Sequence, residues 1–287
     1  MSEPPPYLTE NTYVADPNDD VEIVRLVLQD RFLTLGMGGL FPECGDLAGM
    51  HTILDIACGP GGWALQVAQA YPQIEVTGVD LSIRMIMYAR AQALVHEVSN
   101  AHFRLMNVLK PLDFPDASFD LVNGRLLFAF LSPAAWPALL QECFRILRPG
   151  GVLRLTEGEF PVTNSPAVEA INAMTTRAFQ VTGRSFSPDG RHIGITPMLG
   201  RLLREAGYRD IHRQAYALDY SAGTESHEYF ASDYRTSFQV GQRFLINSGV
   251  TSQEAFEPLY QQALQELWSD DFQAIQFFLT VWGERPS

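Results

Sequence analysis

The residues best placed to do chemistry are two carboxylates and a cluster of glycines in the first third of the chain. Asp55 lies in the apolar run 52–56 and is followed by Ala57-Cys58-Gly59-Pro60-Gly61-Gly62, so the turn reads Asp-x-x-x-Gly-x-Gly. A second apolar run, 74–79, ends in Asp80, 21 residues after Gly59. Glycines permit positive φ and let a ligand approach the backbone without a Cβ in the way. A strand, a tight turn and a helix start together aim backbone N–H groups at that ligand. An acid at the tip of the second strand suits the two hydroxyls of a ribose. The acid at Asp55 suits a cationic group and opposes a phosphate. The glycines alone also fit a nicotinamide or flavin site, or a turn that holds nothing.

Ribose plus a cation, without phosphate, describes S-adenosylmethionine. The residues 55–62, DIACGPGG, resemble motif I of the class I S-adenosylmethionine-dependent methyltransferases, and 76–82, VTGVDLS, resembles their second-strand motif. The nearest subgroup resembles the small-molecule enzymes of ubiquinone and menaquinone biosynthesis. The resemblance covers most of 50–157 and returns at the C-terminus. It implies that Gly59 and Gly61 pass the methionine segment and that Ala57, Cys58, Leu81 and Val108 line the cofactor. Asp55 reaches its amino group through the turn or water, and Asp80 holds its ribose. Met85 touches the adenine, and Asn107 stands where related enzymes commonly carry an Asp beside the adenine amino group. Gly124 and Arg125, at the end of a fourth strand, face the methionine part and the methyl acceptor. Tyr13, Arg25, Gln29 and Met37 belong to an N-terminal cover.

Positioning these residues takes an α/β fold: a Rossmann-like, seven-stranded, mostly parallel sheet with helices on both faces, plus helical cap insertions. Residues 1–50 read as an arm carrying Tyr7 and Tyr13, a helix and the glycine-rich loop 36–42. Asn18, Asp19 and Asp20 cap the helix 21–35. Its stripe is Val24, Val27, Leu28 and Phe32, with Glu22, Arg25, Gln29 and Asp30 mainly off it. Residues 51–287 form the methyltransferase domain, with cap insertions at about 157–195 and 221–270. Strands are expected at 52–56, 74–79, 102–106, before 123, at 152–156, 209–220 and 272–282. The segment 147–151, LRPGG, reads as a helix stop, since Pro cannot continue a helix and Gly permits a reversal. Thr251-Ser252-Gln253-Glu254 reads as a capping box.

Methyl transfer from a sulfonium is an in-line displacement, so the protein must align an acceptor, exclude water and, for some acceptors, remove a proton. Glu157, just after the fifth strand, and His192, in a polar loop, are the catalytic candidates, with Asp189, His212 and His227 as further bases. The Phe- and Tyr-rich cap helices suit a small apolar or aromatic acceptor. The other function class is a catalytically silent cofactor-binding protein, or one that uses the cofactor for another reaction.

The chain has 287 residues and a net charge of −13, with Lys110 its lone lysine. Such an acidic surface repels phosphate backbones, so nucleic acid is not the expected partner. Cys44, Cys58 and Cys143 have no disulfide or zinc spacing, and no metal is expected. The N-terminus has no signal-peptide pattern and no apolar run spans a bilayer, so a cytoplasmic protein, with a homodimer as a possible assembly, is the expectation.

Overall fold

The computed structural model describes Tyr13, residues 20–43, Leu47 and residues 49–287. Tyr7, the capping residues Asn18 and Asp19, and Cys44 lie outside the described residues.

Among the described residues eight strands form one sheet: β1 (Thr52–Ile56), β2 (Glu75–Asp80), β3 (Ala101–Leu105), β4 (Phe119–Arg125), β5 (Leu147–Gly158), β6 (Val162–Thr163), β7 (Arg209–Asp219) and β8 (Ala274–Glu284). Their order is β3-β2-β1-β4-β5-β8-β6, with β7 also paired to β8. The pairs from β3 to β5 are parallel, and β8 runs antiparallel to β5, β6 and β7. The seven expected strands are present. The eighth, β6, is a two-residue strip inside the first expected insertion.

Side chains alternate across each strand and so feed two cores. Leu54, Ile56, Val122, Leu153 and Leu155 enter the core that holds α4 (Trp136–Ile146) and α6 (Leu199–Glu205). Ile53, Val76 and Leu121 enter the core that holds α2 (Gly62–Ala70) and α3 (Ile83–Val95). In α4 the buried positions Trp136, Leu139, Leu140, Cys143 and Ile146 recur at helical spacing. The 147–151 segment differs from its reading as a stop. Leu147 already pairs with Phe119, and the ladder resumes at Val152–Leu121 after a register shift.

A third core lies over the carboxyl ends of the strands. It gathers Leu33 of α1 (Asp20–Gly36), Ile171 of α5 (Pro166–Val181), Phe230 and Phe238 of α7 (His227–Asn247), and Phe256 of α8 (Gln253–Leu267), with Phe278 from the sheet. Ser252 caps α8, its hydroxyl accepting from Ala255 N at 3.3 Å, so the cap falls one residue beyond Thr251.

The N-terminal helix reverses the expected orientation. Val24 is 59% and Leu35 63% exposed, whereas Glu22 and Arg25 are buried. Hydrophobic periodicity alone placed Val24 and Leu28 inward. The ionic partners waiting on the inner side, described below, decide the other way.

Gly61 fixes the turn. Its φ is +80°, and a Cβ there would meet the Phe103 ring at 2.7 Å and Ala89 Cβ at 2.8 Å. Gly61→Ala combines left-handed strain with overpacking, so a loss of about 2–4 kcal/mol is expected in urea unfolding.

Candidate active site

The glycine turn is held open by the second strand's acid. Ala57, Gly59 and Gly61 all have positive φ, at 51°, 53° and 80°. Cys58 N donates to Val79 O at 3.0 Å. Gly59 N donates to one Asp80 carboxylate oxygen at 3.0 Å, and Ser82 N to the other at 2.8 Å. Burial raises the Asp80 carboxyl, and the backbone donors of Ser82, Gly59 and Leu81 pull it back. A Cβ on Gly59 would find only Leu26, at 3.9 Å, so this face of the turn is open to a ligand.

Behind the turn runs a buried polar chain. Asn123 Nδ2 donates to Asp55 Oδ1 at 2.8 Å, and Arg154 Nη1 donates to Asn123 Oδ1 at 2.8 Å. Arg154 forms an ion pair with Glu43. Burial pushes the Asp55 carboxyl up to about 7, against the pull of Arg125, Asn123 and Arg154.

Arg125, at the end of β4, pairs with Asp30 of α1 and donates to Thr34 Oγ1 at 3.1 Å. Gln66 of α2 donates to the other Asp30 oxygen at 3.1 Å. Gly62 makes room for this carboxylate, since a Cβ there would overlap Asp30. One turn earlier in α1, Arg25 is bound by Glu22 through two contacts of 2.7 Å and by Asp233 of α7 at 3.0 Å.

All these elements close around one cavity of about 350 Å³. Its polar end has the glycine turn, Asp55, Asp80 and Asn107. The other end is walled by Phe128, Phe179, Phe230, Phe238 and Phe244. Such size and mixed lining suit a small organic ligand. The open Gly59 face, the acid at the β2 tip and the buried Asp55 suit a nucleoside bearing a cation. No backbone cradle for a pyrophosphate is needed to explain them.

Residues 53–151 match the family described as "Methyltransferase domain". A demethylmenaquinone methyltransferase of Porphyromonas gingivalis is 27% identical, over 59% of this chain and 72% of its own length. One from Deinococcus radiodurans is 38% identical, over 38% of this chain and 43% of its own length, so the chain spans less than half of that relative. Over this segment the chain is similar to the class I S-adenosylmethionine-dependent methyltransferases. Beyond the matched segment, a Haemonchus contortus phosphoethanolamine N-methyltransferase 2 structure shares the fold, with a TM-score of 0.51 and 20% identity over 92% of this chain and 52% of that one.

Within this fold the cavity collects most of the residues picked from the sequence. Tyr13, Arg25, Gln29, Asp55, Ala57, Cys58, Gly59, Asp80, Leu81, Met85, Asn107, Val108 and Arg125 line it. Burial pushes the Cys58 thiol well up, which disfavours a thiolate nucleophile. Asn107 uses its side-chain oxygen locally, accepting from Leu109 N at 2.9 Å. Gly61 and Gly124 act through the backbone behind the cavity. A Cβ on Gly124 would press on Ile56 at 3.0 Å.

Several expectations are corrected. Met37 is buried in the cap core with Leu33 and does not line the cavity. His192 is exposed in its loop, away from the lining. His212 stacks on Trp282, His227 packs against Phe272, and Asp189 is exposed; none of them lines the cavity. Glu157 is fully buried inside β5, accepting from Leu127 N at 2.8 Å and Phe128 N at 3.3 Å. It braces the turn that presents Phe128, because Leu126 enters that turn at a φ of 56°. It sits behind the lining rather than in it. Asp30 and Asp233 were missed as site residues. Their signal is long-range pairing with arginines, which no local pattern encodes. Among the described residues no group of three or more His, Cys, Asp and Glu side chains is arranged to hold a metal ion.

Burial lifts the Glu157 carboxyl from 4.5 to about 8, outweighing the two backbone donors. The folded state therefore binds a proton that the unfolded state has lost, and this contribution to stability falls as pH rises from about 4.5 to 8. Glu157→Gln should flatten that decline when urea midpoints are compared across the same pH range.

Proposed function

We propose that this chain transfers a methyl group from S-adenosylmethionine to a small aromatic or apolar acceptor seated among the cap helices. The observation that carries the reading is that one cavity is lined both by the glycine turn and by the phenylalanines of the cap. The cofactor supplies an electrophilic methyl on a sulfonium and leaves as a neutral thioether. Asp80 would accept from the ribose hydroxyls while keeping Gly59 and Ser82 in place. Asp55, Ala57, Cys58 and Gly59 would line the methionine segment, and Leu81, Met85, Asn107 and Val108 the adenine. Tyr13, Gln29 and Arg125 would close the remaining side, with Arg125 oriented by Asp30. The phenylalanines exclude water and hold the acceptor in line, which supplies proximity rather than acid–base chemistry.

The relatives from Porphyromonas gingivalis and Deinococcus radiodurans are named for demethylmenaquinone, a quinone-type compound. An acceptor ring of that kind suits aromatic walls. The Haemonchus contortus enzyme holds phosphomonomethylethanolamine and S-adenosylhomocysteine, an example of a small acceptor beside the spent cofactor in this fold. A silent cofactor-binding protein is disfavoured because the acceptor end is hollow and continuous with the cofactor end. The acidic charge of −13 supports small molecules over nucleic acid as acceptors. Among the described residues no helix is long and apolar enough to cross a membrane.

The test is incubation with S-adenosylmethionine and a panel of quinols, phenols and amines, with S-adenosylhomocysteine as readout. Cofactor binding without turnover on any acceptor would overturn the reading. Asp80→Ala should weaken cofactor affinity by about 10–100-fold in calorimetry, the loss expected for hydrogen bonds to a charged group. Unchanged affinity would contradict the ribose assignment.

A further inference from the structure

The buried ionic cluster on the cavity wall is out of balance. Glu22 occupies Arg25 with both oxygens, at 2.7 Å each, and Tyr13 OH donates to Glu22 Oε1 at 2.6 Å. Glu22 is fully buried. One carboxylate thus already neutralises the guanidinium. Asp233 is a second, its Oδ1 accepting from Arg25 Nη1 at 3.0 Å. Its side chain is only 10% exposed and it lines the cavity. Among the described residues the contact to Arg25 is made through Oδ1, and no hydrogen bond to Oδ2 is formed. Asp233 lines the cavity and is not fully buried, so an oxygen without a protein donor there is accessible to a ligand's hydroxyl.

The place is right for the reaction. Arg25 neighbours Leu26, whose side chain faces Gly59 of the cofactor turn. Tyr229 of α7 stacks on Phe32 at 3.7 Å and feels the charges of both Asp233 and Asp30. The cluster therefore lies between the polar end of the cavity and its aromatic walls.

We propose that Asp233 is the general base of the methyl transfer and that the acceptor is an aromatic compound bearing a hydroxyl. This rests on the function proposed above. The hydroxyl donates to Asp233 Oδ2, and its proton passes there as the acceptor's electron pair forms the bond to the methyl carbon. The methyl–sulfur bonding pair stays on sulfur, which ends neutral as S-adenosylhomocysteine. Asp233 then releases the proton to solvent. Arg25, bound to Oδ1, keeps the carboxylate in one orientation and leaves Oδ2 to the acceptor.

Facing Asp233 are Glu22 and Arg25 on α1, Tyr220 beyond β7, and Tyr229 and Tyr234 on α7, while Tyr13 touches Glu22 and Arg25. Burial raises Tyr13, Tyr220, Tyr229 and Tyr234, so all four stay neutral. Burial also raises Asp233, against the pull of Arg25. A base is active when ionised, so kcat/KM should rise with pH through the Asp233 titration and then level.

The experiment compares wild type, Asp233→Asn and Asp233→Glu on S-adenosylmethionine with hydroxylated probes (1-naphthol, 4-nitrophenol and reduced 1,4-naphthoquinone) and with 1-naphthylamine. Asp233→Asn keeps the contact to Arg25 and should lose about 10²–10⁴-fold in kcat/KM on the hydroxylated acceptors, with the rising limb of the pH profile abolished. The loss should be smallest for 4-nitrophenol, which ionises without help, and Asp233→Glu should restore part of the limb. Calorimetry on protein loaded with S-adenosylhomocysteine gives a second readout: 1-naphthol should bind about 10-fold more weakly to Asp233→Asn, while S-adenosylhomocysteine itself binds as to wild type. An unchanged rate, pH profile or 1-naphthol affinity in Asp233→Asn overturns the assignment. Wild-type turnover confined to 1-naphthylamine overturns it while leaving methyl transfer standing. No turnover on any acceptor overturns the proposed function as well.

Discussion

The site depends on one carboxylate bridging two strand tips. Asp80 takes the N–H of Gly59 on one oxygen and that of Ser82 on the other. The first contact fixes the glycine turn after β1 against the end of β2. The second starts α3, whose cap is Ser82. Two helices and two strands are thereby registered to one side chain, and any nucleoside entering the cavity meets a turn that is already shaped. Preorganisation of this kind spares the ordering cost that a floppy glycine loop would otherwise impose on binding.

The second constraint is that the cavity roof is fastened by charge. α1 crosses the strand ends with Arg25 reaching Asp233 on α7 and Asp30 reaching Arg125 on β4. The same contacts that hold the roof also set the electrostatics inside. Asp55 is lifted by burial yet feels Arg125 and Asp30 together, so the roof's position tunes the polar end. Structure and reactivity are here one set of interactions, which is why truncating one partner leaves an uncompensated buried charge.

How much of this was legible follows from the range of each signal. The glycine turn and the succession of strands are written in contiguous residues and in periods of two and 3.6, and the structure has them where the sequence puts them; Asp55 and Asp80 both line the cavity. The orientation of α1 is not so written. Val24 and Leu28 look like an inward stripe, and only partners 208 and 95 positions away, Asp233 for Arg25 and Arg125 for Asp30, explain why the charged face turns in. Glu157 was picked for the right reason, a carboxyl at the ligand end of a strand. Alternation along β5 then sends it beneath the lining, where it serves the backbone of Leu127 and Phe128. His192 drew attention only by its residue type, and its loop keeps it outside.

The inverted face of α1 has a thermodynamic consequence. A helix seated by apolar burial carries a large heat-capacity change when it lifts, whereas exposing polar and charged groups contributes with the opposite sign. Glu22, Arg25 and Asp30 meet polar partners, while Val24 and Leu35 already stand in water. Ile23, Phe32 and Leu33 bury apolar surface on the same helix, so lifting it exposes both kinds of group and their opposed heat-capacity contributions partly cancel.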